Sequence, residues 1–346
     1  MIFSVIKPQA IAVRTLIFAL ALGSVTALAS GQKKGQQIEK PMAGPRATPL
    51  QITSLYVSPN INAQRIDKVQ IGREMVVAEK SGPWMRVYAN TDIEEIQNDR
   101  DAPMVGTDET PPPISGWIES KGVVEEDTPN GDMVLMGAAA NEESLAEDPR
   151  GPANAAQSAR LLYHRVTEMF PSSPLVSEAA WRAADIQWQL QKSEASTRNS
   201  SKEKQPYMRE LMDEDDLKKV VKLYPRTRWA ALAAFDLIDN KLCGDWQGTT
   251  QCPEKEADVY EKYADEYPDG PRTAQALYQA TYRLAALVNM YGAAGNEGKS
   301  KDAHNHAREL AEKLKAHFAD SEYSWRAGAL VYKLDEGIPV YGIDLN

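Results

Sequence analysis

Two cysteines, Cys243 and Cys252, have the most evident capacity for chemistry, because a thiolate can act as a nucleophile, a redox partner or a metal ligand. Both lie in one polar loop, CGDWQGTTQC, which contains no histidine. Their spacing differs from the Cys-x-x-Cys of redox and zinc motifs. We therefore predict a structural disulfide formed in an oxidising compartment, stabilising the fold by about 2–3 kcal/mol.

The four histidines, His164, His304, His306 and His317, lie in segments with helical patterning. Because His304 and His306 are two positions apart, they point to different sides of a helix and cannot bind one zinc ion together. A cysteine peptidase would need a free cysteine and a distant histidine, whereas the two cysteines share a loop. We therefore predict packing or solvent-facing histidines, with no catalytic residue, metal or cofactor.

The acidic run Asp213-Glu214-Asp215-Asp216 has the residue type of a cation site but not the spacing. It lacks the alternating ligands and the glycine of a calcium-binding loop. Carboxylates stabilise the start of a helix, so we predict that the run caps one. The sequence also has no glycine-rich phosphate loop, and nucleotide binding is not predicted.

The first thirty residues have the pattern of a secretion signal. Lys7 and Arg14 precede an apolar run, Leu16 to Leu22, and Ala27-Leu28-Ala29 supplies a small-x-small cleavage site. A membrane anchor is the alternative, but the run is shorter than the roughly 20 residues that a bilayer crossing needs. We predict a signal peptide over residues 1–29, no membrane span after cleavage, and a periplasmic or otherwise extracytoplasmic location.

The charge balance argues against nucleic acid as a partner. The chain has 39 Lys+Arg against 49 Asp+Glu, and loss of two basic residues with the signal peptide gives 37 − 49 = −12. Such a surface repels phosphate backbones. The remaining 346 − 29 = 317 residues exceed one usual compact domain, so we expect two or more.

Composition divides the rest of the chain. Residues 30–50 are rich in Lys, Gln, Gly and Pro and are predicted to be a disordered linker. Residues 51–125 alternate short β-branched and aromatic runs with turn residues, which is typical of a small all-β domain. The predicted strands are Ser54–Val57, Arg65–Val69, Glu74–Glu79, Trp84–Tyr88 and Gly116–Ile118. Residues 126–155, with their Gly, Ala, Asn and acidic content, are predicted to be a second linker.

Residues 51–125 also resemble a bacterial SH3-type (SH3b) domain. The matching motifs are Leu55-Tyr56-Val57-Ser58-Pro59, Val69-x-x-Gly72-x-x-Met75-Val76-Val77, Ser81-Gly82-Pro83-Trp84-Met85-Arg86-Val87 and Gly116-Trp117-Ile118. The resemblance implies a small SH3-like barrel, here with an acidic, proline-rich insertion at 89–113. Tyr56 and Ser58 stand where the family has Asn-x-Arg.

Four aromatic residues of this domain form a candidate ligand groove for a peptide or glycan: Tyr56, Trp84, Tyr88 and Trp117. Aromatic side chains give a large contact area and have few rotatable bonds that become fixed on binding. For the two tryptophans the alternative, which the resemblance implies, is that they hold the barrel together.

Residues 156–346 contain four copies of one sequence motif. In each copy an amphipathic helix ends on an aromatic residue, a short turn follows, and an alanine-rich helix begins. The aromatic residues are Phe170, Tyr224, Tyr267 and Phe318, at spacings of 54, 43 and 51. This motif is similar to the repeats of envelope tetratricopeptide (TPR) proteins, and the resemblance implies a TPR-like helical solenoid. Because a minimal repeat needs about 34 residues, we expect segments 192–207, 243–252 and 292–301 to project from it.

Tryptophan and arginine supply the candidate contacts of the helical half. Trp181, Trp188, Trp229 and Trp325 lie beside alanines in second helices and are expected to pack between repeats. The arginines near the turns form a candidate partner surface for acidic segments: Arg226, Arg228, Arg272 and Arg326. Solvated helix ends are the alternative explanation for these arginines.

The sequence thus predicts a multidomain chain, a small all-β SH3-like barrel followed by an all-α TPR-like solenoid. The predicted function is an exported, non-catalytic adaptor or scaffold that binds envelope proteins through the helices and cell-wall peptide through the barrel. A cell-wall hydrolase or hydrolase regulator with an unrecognised site, and a structural part of a larger complex, are the alternatives.

Overall fold

The computed structural model describes residues 43–92, 113–198, 211–244, 246 and 248–341. The predicted signal peptide and most of the predicted insertion therefore lie outside the described residues. All described residues belong to one compact unit. This part of the chain folds as one antiparallel sheet followed by nine α-helices.

The sheet has seven strands in the order β3-β2-β6-β5-β4-β1-β7. Strands β2 to β6 confirm the five predicted strands to within two residues at either end. In chain order the strands are β1 Arg46–Pro49, β2 Thr53–Tyr56, β3 Arg65–Val69, β4 Met75–Ser81, β5 Trp84–Ala89, β6 Ile114–Glu119 and β7 Val123–Glu125.

Strand β1 lies between β4 and β7, so the linker predicted over residues 30–50 is wrong at its C-terminal end. Ala47 and Thr48 are completely buried. The sequence Arg-Ala-Thr-Pro contains no large apolar residue, and its burial comes from pairing with neighbouring strands rather than from its own pattern.

The two faces of the sheet differ in burial. Along β5, Met85, Val87 and Ala89 point into the core, whereas the alternate positions are partly exposed. Gly116 on β6 allows a close approach inside the core, because an added β-carbon would lie 2.5 Å from Leu55 Cγ. The core therefore covers one face and leaves the other accessible.

The nine helices of the described residues follow the sheet. They are α1 Gly131–Glu147, α2 Ala155–Met169, α3 Val176–Thr197, α4 Asp215–Leu223, α5 Arg228–Asp236, α6 Gln251–Glu266, α7 Thr273–Ala293, α8 Glu297–His317 and α9 Glu322–Asp335, with a 3₁₀ turn at Asp239–Lys241. Among these residues no helix combines the length and apolarity needed to cross a membrane.

Helix α1 occupies most of the segment 126–155, so the second predicted linker is wrong. Its Leu135 and Ala139 are buried in one core with Leu162 and Val166 of α2. The segment is rich in Ala, Leu, Met and Glu, which have high helix propensity, and those residues outweigh its glycines and asparagine.

The four copies of the repeated sequence motif adopt one local structure. Helices α2, α4, α6 and α8 end on Phe170, Tyr224, Tyr267 and Phe318. At these four residues φ lies between −122° and −135° and ψ between 44° and 65°. In each copy a second helix begins within six residues of the aromatic residue.

The described residues of the segments expected to project are partly helical and largely exposed. Residues 192–197 belong to α3, and α7 and α8 extend to 21 residues each and take up most of 292–301. In the cysteine loop Trp246 packs on Tyr282 and Tyr341, with ring centroids 6.0 and 5.3 Å apart. Residues 192–197 and most of 292–301 therefore lie in extended helices, and residues 199–207 lie outside the described residues.

The sheet packs directly on the helices through a buried ion-pair cluster. Arg165 of α2 is completely buried, donates from Nε to the Gly72 carbonyl at 3.1 Å, and pairs with Asp92 through Nη2. The Asp92 carboxylate also accepts from Arg73 Nε at 2.8 Å and from the Glu74 backbone N–H at 3.1 Å. These bonds fix the orientation of the sheet relative to α2.

Candidate ligand-binding surfaces

Three of the four predicted groove residues lie together on the accessible face of the sheet. Trp84 and Tyr88 alternate with buried positions on β5, and Trp117 of β6 pairs with β5 opposite Arg86. Tyr56 of β2 pairs with Trp117 and meets the Trp84 ring edge-on, with centroids 5.7 Å apart. We call Tyr56, Trp84, Arg86, Tyr88 and Trp117 the aromatic face.

Burial divides the roles within the aromatic face. Tyr56 is only 5% exposed and its ring contacts Trp84, whereas the other four side chains are partly exposed. The Arg65 guanidinium lies 5.8 Å from the Tyr56 ring centroid, which adds a cation–π contact. Tyr56 is therefore a supporting residue, and Trp84, Tyr88 and Trp117 present the contact surface.

Arg86 lies on this face, although the predicted groove did not include it. Its Nε is buried and has no hydrogen-bond partner among the described residues, and the Glu79 carboxylate lies 4.0 Å away. Its spacing of two from Trp84 and from Tyr88 is the signal that places it on their face. The face thus combines aromatic rings with an arginine side chain that is 43% exposed.

The four arginines of the predicted partner surface are all exposed. Arg226, in the left-handed region at φ 64°, and Arg228 precede or begin α5, Arg272 precedes α7, and Arg326 lies near the start of α9. Three lie over aromatic rings: Arg228 is 4.8 Å from the Trp229 centroid, Arg272 5.9 Å from Phe235, and Arg326 4.4 Å from Tyr278. The arginines therefore mark the starts of successive second helices.

Between two of these helices, Trp181 of α3 stacks on Trp229 of α5, with centroids 5.1 Å apart. This contact confirms the expected packing between repeats, whereas Trp325 is 66% exposed and departs from it. Trp181 Nε1 donates to Asp236 at 3.5 Å. Burial, and then the charge of Asp185, raise the pKa of Asp236 to about 7.

A cavity of about 540 Å³ lies between α2, α3 and α4, and we call it the α2–α4 cavity. Its apolar wall includes Leu161, Ala184, Trp188, Leu217 and Val220. Trp188 is 1% exposed, and its indole N–H has no hydrogen-bond partner among the described residues. The sequence placed Trp188 in packing between repeats but contained no signal for the cavity, which depends on the separation of helices.

The histidines bind separate partners. His304 Nε2 lies 2.9 Å from Asp335 of α9, and His306 Nε2 lies 2.9 Å from Glu261 of α6, so the two rings point to different helices as their spacing predicts. Among the described residues, no group of three or more His, Cys, Asp or Glu side chains has an arrangement that could hold a metal ion.

The predicted disulfide between Cys243 and Cys252 is confirmed, with Cα atoms 6.0 Å apart. Glu256 is 1% exposed and anchors the loop, since its carboxylate accepts from the Cys243 backbone N–H at 2.8 Å and from Trp246 Nε1 at 3.2 Å. Arg283 Nε also donates to it at 3.0 Å. The bond is compatible with an extracytoplasmic location.

The acidic run begins α4 as predicted. Asp215 and Asp216 lie in the first turn, and Asp213 Oδ1 accepts from the Asp215 backbone N–H at 2.9 Å. Carboxylates at this position stabilise the helix through its dipole.

Comparisons with known proteins give no family for the chain. No protein-family model matches it, and no curated protein matches it. Among solved structures, a chain titled "DHF79 filament" matches at 15% identity over 59% of this chain and 98% of that chain, with a TM-score of 0.22. A likeness at that TM-score shows neither a shared fold nor a shared function.

Proposed function

We propose that this chain is an exported, non-catalytic adaptor that binds cell-wall peptide through the aromatic face of an SH3-type barrel and an envelope protein through a TPR-like helical half. The observation that carries the proposal is the aromatic face. Trp84, Tyr88 and Trp117 are partly exposed on one side of the sheet, and Trp84 contacts the buried Tyr56. Arg86, on the same face, has a buried Nε without a hydrogen-bond partner among the described residues.

Such a face suits a peptide better than a charged polymer. Aromatic rings bind apolar and planar groups, and an arginine donor binds a peptide carbonyl or carboxylate. Arg86 lies between Trp84 and Tyr88 on β5 and opposite Trp117 on β6, so its guanidinium is placed beside the rings.

The helical half supports the second role through its repeated construction. Four helices that end on aromatic residues with equal backbone conformation are followed by alanine-rich partners. Stacked helix pairs of this kind offer extended surfaces to a partner protein. Export is supported by the N-terminal sequence pattern and is compatible with the disulfide.

Sedimentation with purified peptidoglycan sacculi tests the role of the aromatic face. We expect the intact protein to sediment with sacculi and the Tyr88→Ala and Arg86→Gln variants to lose about tenfold in affinity, the equivalent of about 1.4 kcal/mol. Leu145→Ala is the matched control, because Leu145 is 41% exposed on helix α1 and does not belong to the sheet. Wild-type protein that stays in solution would contradict the peptide-binding role.

Crosslinking in intact cells tests the adaptor role. We expect an envelope protein to be captured through the helical half and to remain captured in the Tyr88→Ala variant. Release of soluble muropeptides from sacculi by the purified protein would instead show a hydrolase and refute the non-catalytic assignment.

A further inference from the structure

The last helix of the described residues, α9, exposes an apolar stripe on its outer side. Trp325 and Tyr332 are 66% and 63% exposed, and Gly328 and Ala329 between them are exposed as well. Spacings of three, four and seven residues place all four on one side of a helix. The outer helix of a stack of repeats normally has a polar face, because nothing packs on it. An apolar stripe at this position indicates a contact surface.

The equivalent position in the preceding repeats is covered by the next repeat. The residue 14 positions after the aromatic helix end is Ala184, Ile238 and Thr281 in the first three copies and Tyr332 in the fourth. The first three are buried, and Tyr332 is not. Ala184 lies in one core with α4, and Ile238 in one core with α6. The stripe on α9 therefore lies where the stacking would continue, and a further helix is the partner that it fits.

Gly328 gives the stripe a notch that the fold of one chain does not require. It lies inside α9, where its backbone is helical, and no described atom would lie within 4 Å of an added β-carbon. Glycine is unfavourable inside a helix, so neither the backbone nor the packing of the described residues accounts for it. A helix that approaches the α9 backbone closely would account for it.

Trp325 is held in place although it is exposed. Its indole Nε1 donates to the Ala319 carbonyl at 3.0 Å. A ring that is ordered before binding loses little conformational freedom on contact. Exposed aromatic side chains of this kind are typical anchors of protein–protein interfaces.

The order of residue sizes along the stripe indicates which helix covers it. From either end the stripe has a large residue, two small ones and a large one: Trp325, Gly328, Ala329 and Tyr332. If two copies of α9 pack antiparallel about a two-fold axis at its centre, each Trp325 meets Tyr332 of the other copy, and the small residues face each other. A contact between identical surfaces requires this self-complementarity, whereas a contact with an unrelated helix does not.

The charges beside the stripe favour the same pairing. Glu322 and Lys333 are exposed and 11 positions apart, which is about three helical turns, so both lie on one flank of the stripe. In the antiparallel pair, Glu322 of one copy lies within about 3 Å of Lys333 of the other, measured along the helix axis. One pair of opposite charges therefore lies at each end of the contact.

We infer that α9 forms a symmetric homodimer, in which two copies of the chain pack antiparallel through Trp325, Gly328, Ala329 and Tyr332. One helix pair is a small interface, so the dimer is weak and its population depends on protein concentration. The inference does not depend on the proposed binding of cell-wall peptide or of an envelope protein.

Sedimentation equilibrium of the purified protein over a concentration series tests the dimer. We expect the mass to rise from that of one chain to that of two. Gly328→Leu should weaken the dimer about tenfold, because leucine fills the close contact at its centre. The variant should fold, since leucine suits a helix better than glycine and its side chain enters open space.

Charge exchange tests the antiparallel pairing. Glu322→Lys and Lys333→Glu should each weaken the dimer about threefold, because like charges then face each other at both ends. The double variant should recover the affinity of the wild type. Lys222→Glu is the matched control, because Lys222 is an exposed lysine on α4, and it should leave the dimer unchanged.

A single introduced cysteine reports the geometry, because both native cysteines form the disulfide. Ala329→Cys lies beside the two-fold axis and should link two copies on oxidation, whereas Glu336→Cys at the C-terminal end of α9 should not. Linkage through both positions would show a parallel contact and overturn the inference. A monomer at every concentration would leave the stripe to a helix of another protein and overturn it too, as would a dimer that Gly328→Leu does not weaken.

Discussion

Asp236 lies beside a stacked tryptophan pair and a second carboxylate, and its protonation couples folding to pH. Burial and the charge of Asp185 raise its pKa from 3.8 to about 7. The folded protein therefore holds a proton between about pH 4 and about pH 7 that the unfolded chain has released. Folding stability contributed by this group is present at low pH and falls as the pH rises through that range.

Asp236→Asn is expected to remove this dependence. The variant should match the wild type near pH 4 and exceed its free energy of unfolding at pH 8 by about 1–3 kcal/mol. Urea denaturation from pH 4 to pH 8 measures the difference, with the exposed Asp320→Asn as control. Equal pH dependence in Asp236→Asn and the wild type would contradict the assignment.

The pKa of Glu168 is shifted in the opposite direction from that of Asp236, and it affects folding stability in a different pH range. Burial alone would raise its pKa, but the hydrogen bond from His164 and the charge of Arg165 outweigh burial and lower it to about 2. Its stabilising contribution is lost as the pH falls below about 4.5. It therefore does not mask the effect of Asp236 between pH 5 and pH 8.

Residue types alone predicted part of this chemistry. The disulfide followed from the composition of one loop, and the separate partners of His304 and His306 followed from helical geometry. The raised pKa of Asp236 depends on a neighbour from another helix, Asp185 of α3, and no local pattern contains that information.

At the scale of elements, the β3–β4 turn meets α2 at a point where only glycine fits. Gly72 has φ +77°, and an added β-carbon would lie 2.7 Å from Leu161 Cβ and 3.1 Å from the Leu162 backbone nitrogen. A side chain there is strained in its backbone conformation and also forces the turn away from the helix.

Gly72→Ala is therefore expected to destabilise the protein by about 2–4 kcal/mol, since strain and steric overlap act together. Gly82→Ala is the matched control, because Gly82 has φ +57° but nothing within 4 Å of its β-carbon position. It should lose only about 1 kcal/mol. Thermal unfolding of both variants checks the difference, and equal losses would show that packing against α2 is unimportant.

Elements with a clear hydrophobic periodicity or a repeated sequence motif were predictable from the sequence. Elements whose structure depends on packing against neighbouring elements were not. The five central strands and the four aromatic helix ends followed from patterns within each segment. Strand β1 and helix α1 did not, because β1 has no large apolar residue and α1 buries only Gly131, Leu135 and Ala139 along 17 residues. The aromatic face was predicted except for Arg86, and the α2–α4 cavity was not predicted.

At the scale of the whole molecule, Arg165 ties the sheet to the helices. Its guanidinium bonds to Gly72, Asp92 and Glu168 while completely buried. Arg165→Met should cost about 3–5 kcal/mol, because Asp92 would remain buried with a reduced set of partners. Arg150→Met should change stability by less than about 0.5 kcal/mol, since the Arg150 side chain is 93% exposed.

Calorimetry is the measurement for this prediction. The wild type should unfold in one transition, because the sheet and helices share a buried cluster. Arg165→Met should unfold at a lower temperature. An unchanged melting temperature in Arg165→Met would contradict a stabilising role for the cluster.

The same cluster sets a condition on any molecule that engages the protein at two places. Because the sheet is held to α2 by buried bonds, the aromatic face and the helical half keep one mutual orientation. A tethered pair of ligands gains avidity only when its spacer matches the span between two sites. A rigid junction therefore favours bivalent partners whose spacer has one length, and partners with a shorter spacer bind less tightly. A flexible linker between the two halves would allow the shorter spacers to reach both sites.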